Sequence, residues 1–459
     1  MRRGDLLTCS VALSLGACAA PAPAPARPEP EPALTENARR IPEIIAAYQN
    51  RGKNGWPLIA TLEAQLRRAI PPAAESPPGE VNEFAYVFEP RAGGEAGRER
   101  AIAALGRLEA AGFWLTMDEV AAASRFVGPA RPVLVMDPWP PEFGTIRHAG
   151  RACSARLRLM LERGDAAESE RSLRHLRALA RMGAAEPSLT GTMLGDALER
   201  LTLQIIRGWM ITHRLEAPML EGLRRGLAAE PLPRAIGLET ERLRLRDSVE
   251  QMYEGPSVHR NLAALGEEES AVEKQAAWLF ILVPRIAGRS RALGCAATLS
   301  GRMLAVGAAP THIGLLVADD VDSFVRNLPR SQLVVQTLAP NFGLFMKACA
   351  LGEAEREGVR AMIAVELYRA ERGVWPMDLS QLTPAYIERE PVDPYTGGPL
   401  RYWFEDHGYV LYSVGLDRID NGGHECAGGR ENAAFEEGAG FDLVFRRPGP
   451  VSQRSGGAG

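Results

Sequence analysis

The chain has 459 residues, a formal net charge of −4 and six cysteines among 46 glycines and 34 prolines. That length allows two or three domains with full hydrophobic cores. The slight acidity, with no arginine cluster confined to one face or one short run, argues against nucleic acid as a partner.

Arg2 and Arg3 precede an apolar run from Leu6 to Ala17, which ends in Leu15-Gly16-Ala17-Cys18. A basic start, an apolar core too short to span a bilayer and small residues before the cut predict a signal peptide over residues 1–18. The last four of these residues resemble a bacterial lipobox. That resemblance implies an acylated Cys18 and a membrane anchor made of lipid rather than protein, on the periplasmic side of a membrane, with Ala19 favouring the outer one. Cleavage nearby, giving a soluble secreted protein, is the alternative. Residues 19–34 alternate proline with alanine, arginine and glutamate, which prevents helix and favours an extended spacer reaching roughly 40 Å.

Helical patterning fills residues 35–145, interrupted by prolines. Ile41, Ile44, Ile45 and Tyr48 share one helix face, Leu58 to Ile70 forms a second helix, and Ala101 to Ala111 and Met117 to Phe126 form two shorter ones. Over residues 146–340 the pattern strengthens and pairs. Leu157, Met160 and Leu161 line one helix, Gly164-Asp165 stops it, and Leu173, Leu176, Leu179 and Met182 line the next, as in a tetratricopeptide-type hairpin. Helices follow at about Thr192 to His213, Pro218 to Ala229, Pro233 to Tyr253 and Val272 to Gly288. With no period of 34 residues repeating, the expected class is mainly α, an irregular αα-solenoid or helical bundle.

Residues 341–447 change character. Val359, Met362, Ile363, Leu367 and Ala370 form a helical stripe stopped by Gly373. Alternation through Leu400, Tyr402 and Phe404, and again through Val410, Tyr412 and Val414, predicts a hairpin turning at Asp406-His407-Gly408, with a further strand at Phe441 to Phe445. This α+β order carries Glu366 and Tyr368 on the helix, then Gly373-Val-Trp375-Pro376, Asp393-Pro394-Tyr395 and Gly398-Pro399-Leu-Arg-Tyr402. In that sequence and spacing the segments resemble the soluble domain of type II secretion major pseudopilins. The resemblance implies that Trp375 and Tyr402 fill a groove between helix and sheet while Pro376, Pro394 and Pro399 fix turns. It also implies a calcium loop built from Ser413, Asp417, Asp420, Asn421 and Asp442, since calcium takes six to eight oxygen ligands. A polar loop whose carboxylates cap turns is the alternative. No prepilin-peptidase site followed directly by an apolar helix of about 20 residues stands before this region, so polymerisation like a pseudopilin is not expected. Residues 448–459 read as a disordered tail.

No H-E-x-x-H, G-x-S-x-G, P-loop or G-x-G-x-x-G motif occurs. His175 and His213 fall in helices, where core packing or solvation outweighs ligation. Asp319-Asp320-Val-Asp322 reads as a helix start or a solvated face. Cys153, Cys295, Cys349 and Cys426 form two bridges or four buried thiols. These observations together imply a non-enzymatic envelope lipoprotein acting in binding or scaffolding, its partner an envelope or secretion-system protein. Two other readings stand beside it: an envelope enzyme with its site in a groove of the helical body, and a C-terminal region that merely caps the helical core.

Overall fold

The computed structural model describes residues 34–70, 84, 90–133, 140–228, 231–253, 288–405, 408–424 and 442–446. The signal peptide with Cys18, most of the proline linker, the helix expected at Val272 to Gly288, Cys426 and the tail lie outside them. Among the described residues the chain is mostly helical and carries one three-stranded antiparallel sheet.

The first helices, α1 (Glu36–Ala47), α2 (Leu58–Ala69), α3 (Pro90–Ala110) and α4 (Phe113–Ala121), stand where the periodicity places them, with α3 starting earlier and α4 ending sooner than expected. The hairpin read from Gly164-Asp165 forms between α5 (Pro141–Arg163) and α6 (Ala166–Ala184). Gly164 takes the left-handed conformation (φ 70°) that closes α5, and the Asp165 carboxylate accepts the Glu168 N–H to open α6. The Ser188 hydroxyl opens α7 (Leu189–Thr212) in the same way. Helices α8 (Ala217–Gly226) and α9 (Ala235–Gln251) follow, and α6 packs closely against α5, α7 and α8. Beyond them lie α10 (Arg289–Ala308), α11 (Thr311–Arg326) and the short α12 (Leu333–Leu338). Asp319, Asp320 and Asp322 occupy the last turns of α11 instead of starting a helix.

Asp322 has a different task. Its two carboxylate oxygens accept the N–H groups of Phe342 (2.9 Å) and Gly343 (2.7 Å), so α11 supplies the acidic cap of the next helix. That helix, α13 (Phe342–Arg372), is the spine of the molecule. It is buried along most of its length from Phe342 to Leu367, with Leu344 exposed and the charged Glu355 and Glu357 among the buried residues, so its covered surface is wider than the single stripe read from the sequence. Within Arg330–Arg372 a stretch is long and apolar enough to cross a membrane by length and composition, yet half of it is covered by the protein itself. Helices α7, α8 and α11 cover its first half and middle; the sheet covers its end.

The sheet has the order β1-β2-β3, with β1 (Arg401–Glu405), β2 (Gly408–Ser413) and β3 (Leu443–Arg446). The hairpin register pairs Arg401 with Tyr412 and Glu405 with Gly408. The third strand runs one residue past the expected Phe445, and Phe441 lies outside the described residues. One continuous hydrophobic cluster runs from Ile41 to Phe445. The C-terminal region therefore shares its core with the helical body. Gly358 shows how close the contact is, because a Cβ there would stand 2.5 Å from the Phe445 ring. Gly397, at φ 76°, likewise leaves room for the His312 ring of α11.

Candidate functional site

Of the residues singled out between Glu366 and Tyr402, Glu366, Trp375 and Tyr402 meet around Tyr409 between α13 and the sheet, whereas Tyr368 and the Asp393 turn lie apart from it. Tyr409 of β2 lies fully buried, with Trp375 edge-on at 5.1 Å and Tyr402 at 5.9 Å between ring centroids. The Arg369 guanidinium sits 4.0 Å over the Trp375 ring, and the Tyr402 hydroxyl donates to the Pro376 carbonyl at 2.9 Å. Tyr368 packs against Tyr386 and donates to Gln381. Glu366 faces Tyr409 and Arg446, and burial raises its pKa against the pull of the arginines. Pro394 and Pro399 flank a turn in which the Asp393 and Gly398 backbones pair: the Asp393 N–H donates to the Gly398 carbonyl and the Gly397 N–H to the Asp393 carbonyl.

Asp393 organises that turn. Its carboxylate accepts the Tyr395 N–H, the Val414 N–H and the Ser413 hydroxyl, each at 3.0 Å. Burial raises the Asp393 pKa and these three donors work against it. Tyr395 is buried beside it. Ser413 thus faces Asp393, and its hydroxyl in turn accepts the Gly415 N–H.

The remaining four residues named for calcium form a loop over the outer face of the sheet. There Val410, Tyr412 and Val444 make a second, small apolar cluster with Trp403, and Gly423 lies against Val410 and Tyr412. Asp442 holds the loop down by accepting the Asn421 and Gly423 N–H groups, one on each oxygen. Asp420 accepts the Tyr412 hydroxyl (2.7 Å) and the Gly422 N–H on one oxygen and Arg401 Nε (3.0 Å) on the other. The Tyr412 hydroxyl bond is the first cause holding the Asp420 pKa down, whereas burial raises that of Asp442. The Asn421 side chain donates to the Ile419 carbonyl.

Among the described residues, no group of three His, Cys, Asp or Glu side chains is placed to hold a metal ion. Most carboxylate oxygens of the loop are engaged by N–H and O–H donors. One is not. Asp417 Oδ1 accepts the Ile419 N–H, but Oδ2 is buried without a hydrogen-bond partner. An unpartnered carboxylate oxygen is one ligand of the kind a cation takes.

The two outer strands of the sheet differ in a way no sequence motif announces. On the β3 side, two arginines tie the strand to α7: Arg207 Nη1 reaches the Val444 carbonyl at 3.5 Å, and the Arg446 guanidinium donates to the Met210 carbonyl. On the β1 side no further strand is paired among the described residues. Phe404 there is 49% exposed, and Val374 and Met377 beside the Pro376–Tyr402 contact are 60% and 71% exposed.

A second cluster lies where α6, α7 and α13 meet. Glu199 is buried between Arg177 (3.0 Å) and Arg356, which holds both its oxygens at 2.8 and 3.1 Å. Burial raises the Glu199 pKa, but the two guanidinium groups outweigh it and leave it lowered. One turn away, burial pushes Asp196 up to about 6 beside the Cys349 thiol. Cys153 and Cys349 are buried free thiols and Cys295 is a half-buried one, so these three are unbridged. His175 is core, as expected of a helix histidine: its buried ring stacks near Trp114, and its Nε2 stands 2.8 Å from Asp118. His213 instead stacks on Trp209 at the exposed end of α7.

No family model, curated protein or solved structure matches this chain.

Proposed function

We propose that this protein is a non-enzymatic envelope lipoprotein, anchored through Cys18, that binds or scaffolds a partner protein through a pseudopilin-like C-terminal α+β unit. The helical hairpins from α5 onward serve as an irregular, partly tetratricopeptide-like solenoid or bundle carrying that unit. The partner class is an envelope protein, with a type II secretion or related apparatus the leading candidate through the pseudopilin resemblance.

One observation carries the binding reading. Two arginine contacts tie β3 to α7, while among the described residues β1 pairs with no further strand on its outer side and has exposed Phe404, Met377 and Val374 about it. An open edge offers main-chain donors and acceptors to an extended segment of another chain, and flanking apolar side chains add pockets for its side chains. The occupant we commit to is therefore an extended segment of a partner protein.

A photo-crosslinking residue placed at position 404 in the producing cell tests this, with exposed Leu115 on α4 as the control position. The expected result is a discrete adduct at 404, absent at 115, whose partner peptide maps to an extended segment and which Phe404→Lys weakens. Equal adducts at both positions, or none at 404, would count against the reading.

The buried, unpartnered Asp417 Oδ2 supports a second component, a calcium ion stabilising the loop of Asp417, Asp420, Asn421 and Asp442. Such an ion would pin the loop over the Val410–Tyr412–Val444 cluster. The rival enzymatic reading leans on Asp196, whose raised pKa is of the kind found at functional sites. Its neighbour Glu199, held by two arginines, is built instead like a structural ion network.

A further inference from the structure

Where the end of α8 meets the middle of α13 and the segment from Pro384 to Glu388, the packing leaves a cavity of about 130 Å³. Its floor is apolar, with Leu227, Ile363 and Ile387 all buried. Its rim is charged and mostly basic: Arg224 and Arg225 come from α8 and Arg360 from α13, against the single acid Glu388.

An enclosed apolar cavity of about 150 Å³ accepts benzene; this site is open on its charged side, and its size leaves room for a branched group of about four carbons. The rim then sets the head group. Two of the three arginines stand in the last turn of α8, where a helix end favours cations for its own sake. Each also holds a carboxylate: Arg224 that of Glu221, and Arg225 that of Glu170 at 2.9 Å. An arginine has five N–H donors, so one such pair does not exhaust it. Arg360 arrives from another helix, α13, where its charge also acts on the buried Glu357, and it lines the same cavity.

We propose that this cavity binds a carboxylate borne next to a branched apolar group, the group seated on Ile363 and Ile387 and the carboxylate held by the arginine rim. The free C-terminus of a chain ending in a leucine-like residue and a small N-acyl amino acid share that chemistry. The site is separate from the β1 edge, so it stands or falls independently of the docking reading.

The full chain is titrated by calorimetry and by chemical-shift mapping with N-acetyl-leucine, with its amide, with an acetylated tripeptide ending in leucine with a free carboxylate, and with inorganic phosphate. The acid binds saturably at about 1 mM or tighter, and the amide binds about tenfold or more weakly. Arg360→Gln produces a similar loss, and Ala228→Trp, at an exposed rim position, blocks binding while leaving the fold intact. A tripeptide that binds about tenfold tighter than the single residue identifies a chain terminus as the natural ligand; equal or weaker binding identifies a small acid. The proposal is overturned by any of four results: no saturable binding of either acid, equal affinity for acid and amide, phosphate binding as tightly as the acid, or unchanged binding in both variants.

Discussion

The two halves of α13 are buried by different means. From Phe342 to about Gly358 the helix meets other helices, and polar groups meet across the seam: Thr311 donates to Glu353, Arg356 holds Glu199, and Cys349 lies beside Asp196. From Gly358 to Arg372 it meets the sheet on one side and α8 with the segment at residues 384–388 on another, and on the sheet side the contacts are mostly rings: Phe445 on Gly358, Trp375 under Arg369, and Tyr409 between Trp375 and Tyr402. The first half depends on charges that must stay matched in a low-dielectric interior. The second depends on shape, with Glu366 the partly buried carboxylate facing Tyr409 and Arg446. Glu366 and Tyr368, the helix residues on which the proposed pseudopilin likeness rests, lie in this second half.

The sharpest way to separate the halves is to unbalance the first. Glu199→Gln removes the anion between Arg177 and Arg356 and leaves two buried guanidinium groups facing one another. Breaking a buried pair on one side costs about 3–5 kcal/mol, and chemical denaturation of the full chain reads it. Because α13 is common to both regions, the helical body and the sheet, followed through Trp209 and Trp403, should lose stability together. A variant that lowers only the helical transition would show that the shared spine does not couple them.

A smaller effect, of opposite sign, separates Asp196 from Glu199 in the same seam. Burial raises the Asp196 pKa from 3.8 to about 6, so the folded state prefers its carboxyl protonated. The wild type then loses stability as pH rises from about 4 through about 6. Asp196→Asn cannot ionise and escapes that loss, so the variant should be more stable than wild type at pH 7, by up to about 3 kcal/mol, and equal to it near pH 4. Urea midpoints at both values check it. A variant less stable than wild type at pH 7 would mean that ionised Asp196 is needed, the outcome the enzymatic reading favours.

Local patterns carried much of the fold. Thr35, Asp165, Ser188 and Asn341 cap helices that the periodicity also marks, and Gly164 and Gly373 end helices through left-handed backbone. The hairpin from Arg401 to Ser413 follows from alternation alone. The stripe of Val359, Met362, Ile363, Leu367 and Ala370 describes only one side of the spine, because its burial also takes in small residues such as Ala350 and Ala354 and the charged Glu355 and Glu357, which hydrophobic periodicity does not mark. Helices α10 and α11 were not singled out, since small residues such as Ala296 and Ala318 leave a weak pattern. Pairings across the chain were not legible at all. Arg207 with Val444 and Arg356 with Glu199 join residues far apart in sequence, and an arginine-rich composition offers many equivalent candidates for each. In the candidate loop the residue types were legible, but their partners were not: Ser413 faces Asp393, and Arg401 occupies an oxygen of Asp420.

The smallest expected effect concerns that loop, and it sharpens the same contrast between a charge-matched seam and a ring-packed sheet. Asp417 Oδ2 is the buried loop oxygen left without a hydrogen bond, while Arg401 and Tyr412 occupy Asp420. Calcium binding would add an oxygen-seeking charge beside Asp417 and compete with Arg401 for Asp420. Binding to the folded state alone stabilises it by about 2.7 kcal/mol at a hundredfold excess over the dissociation constant and by about 1.4 kcal/mol at tenfold. A chelator should therefore lower the melting of the C-terminal unit, followed at Trp403 in the small outer cluster, and Asp417→Asn should remove the calcium dependence. Because α13 is common to both regions, the transition followed at Trp209 should fall with it, while the pH dependence from Asp196, which rests on groups outside the loop, should be unchanged in chelator. A melting profile identical with calcium and with chelator would instead make the loop a carboxylate-capped turn, in which Asp442 and Asp420 suffice to hold Gly423 against Val410 and Tyr412.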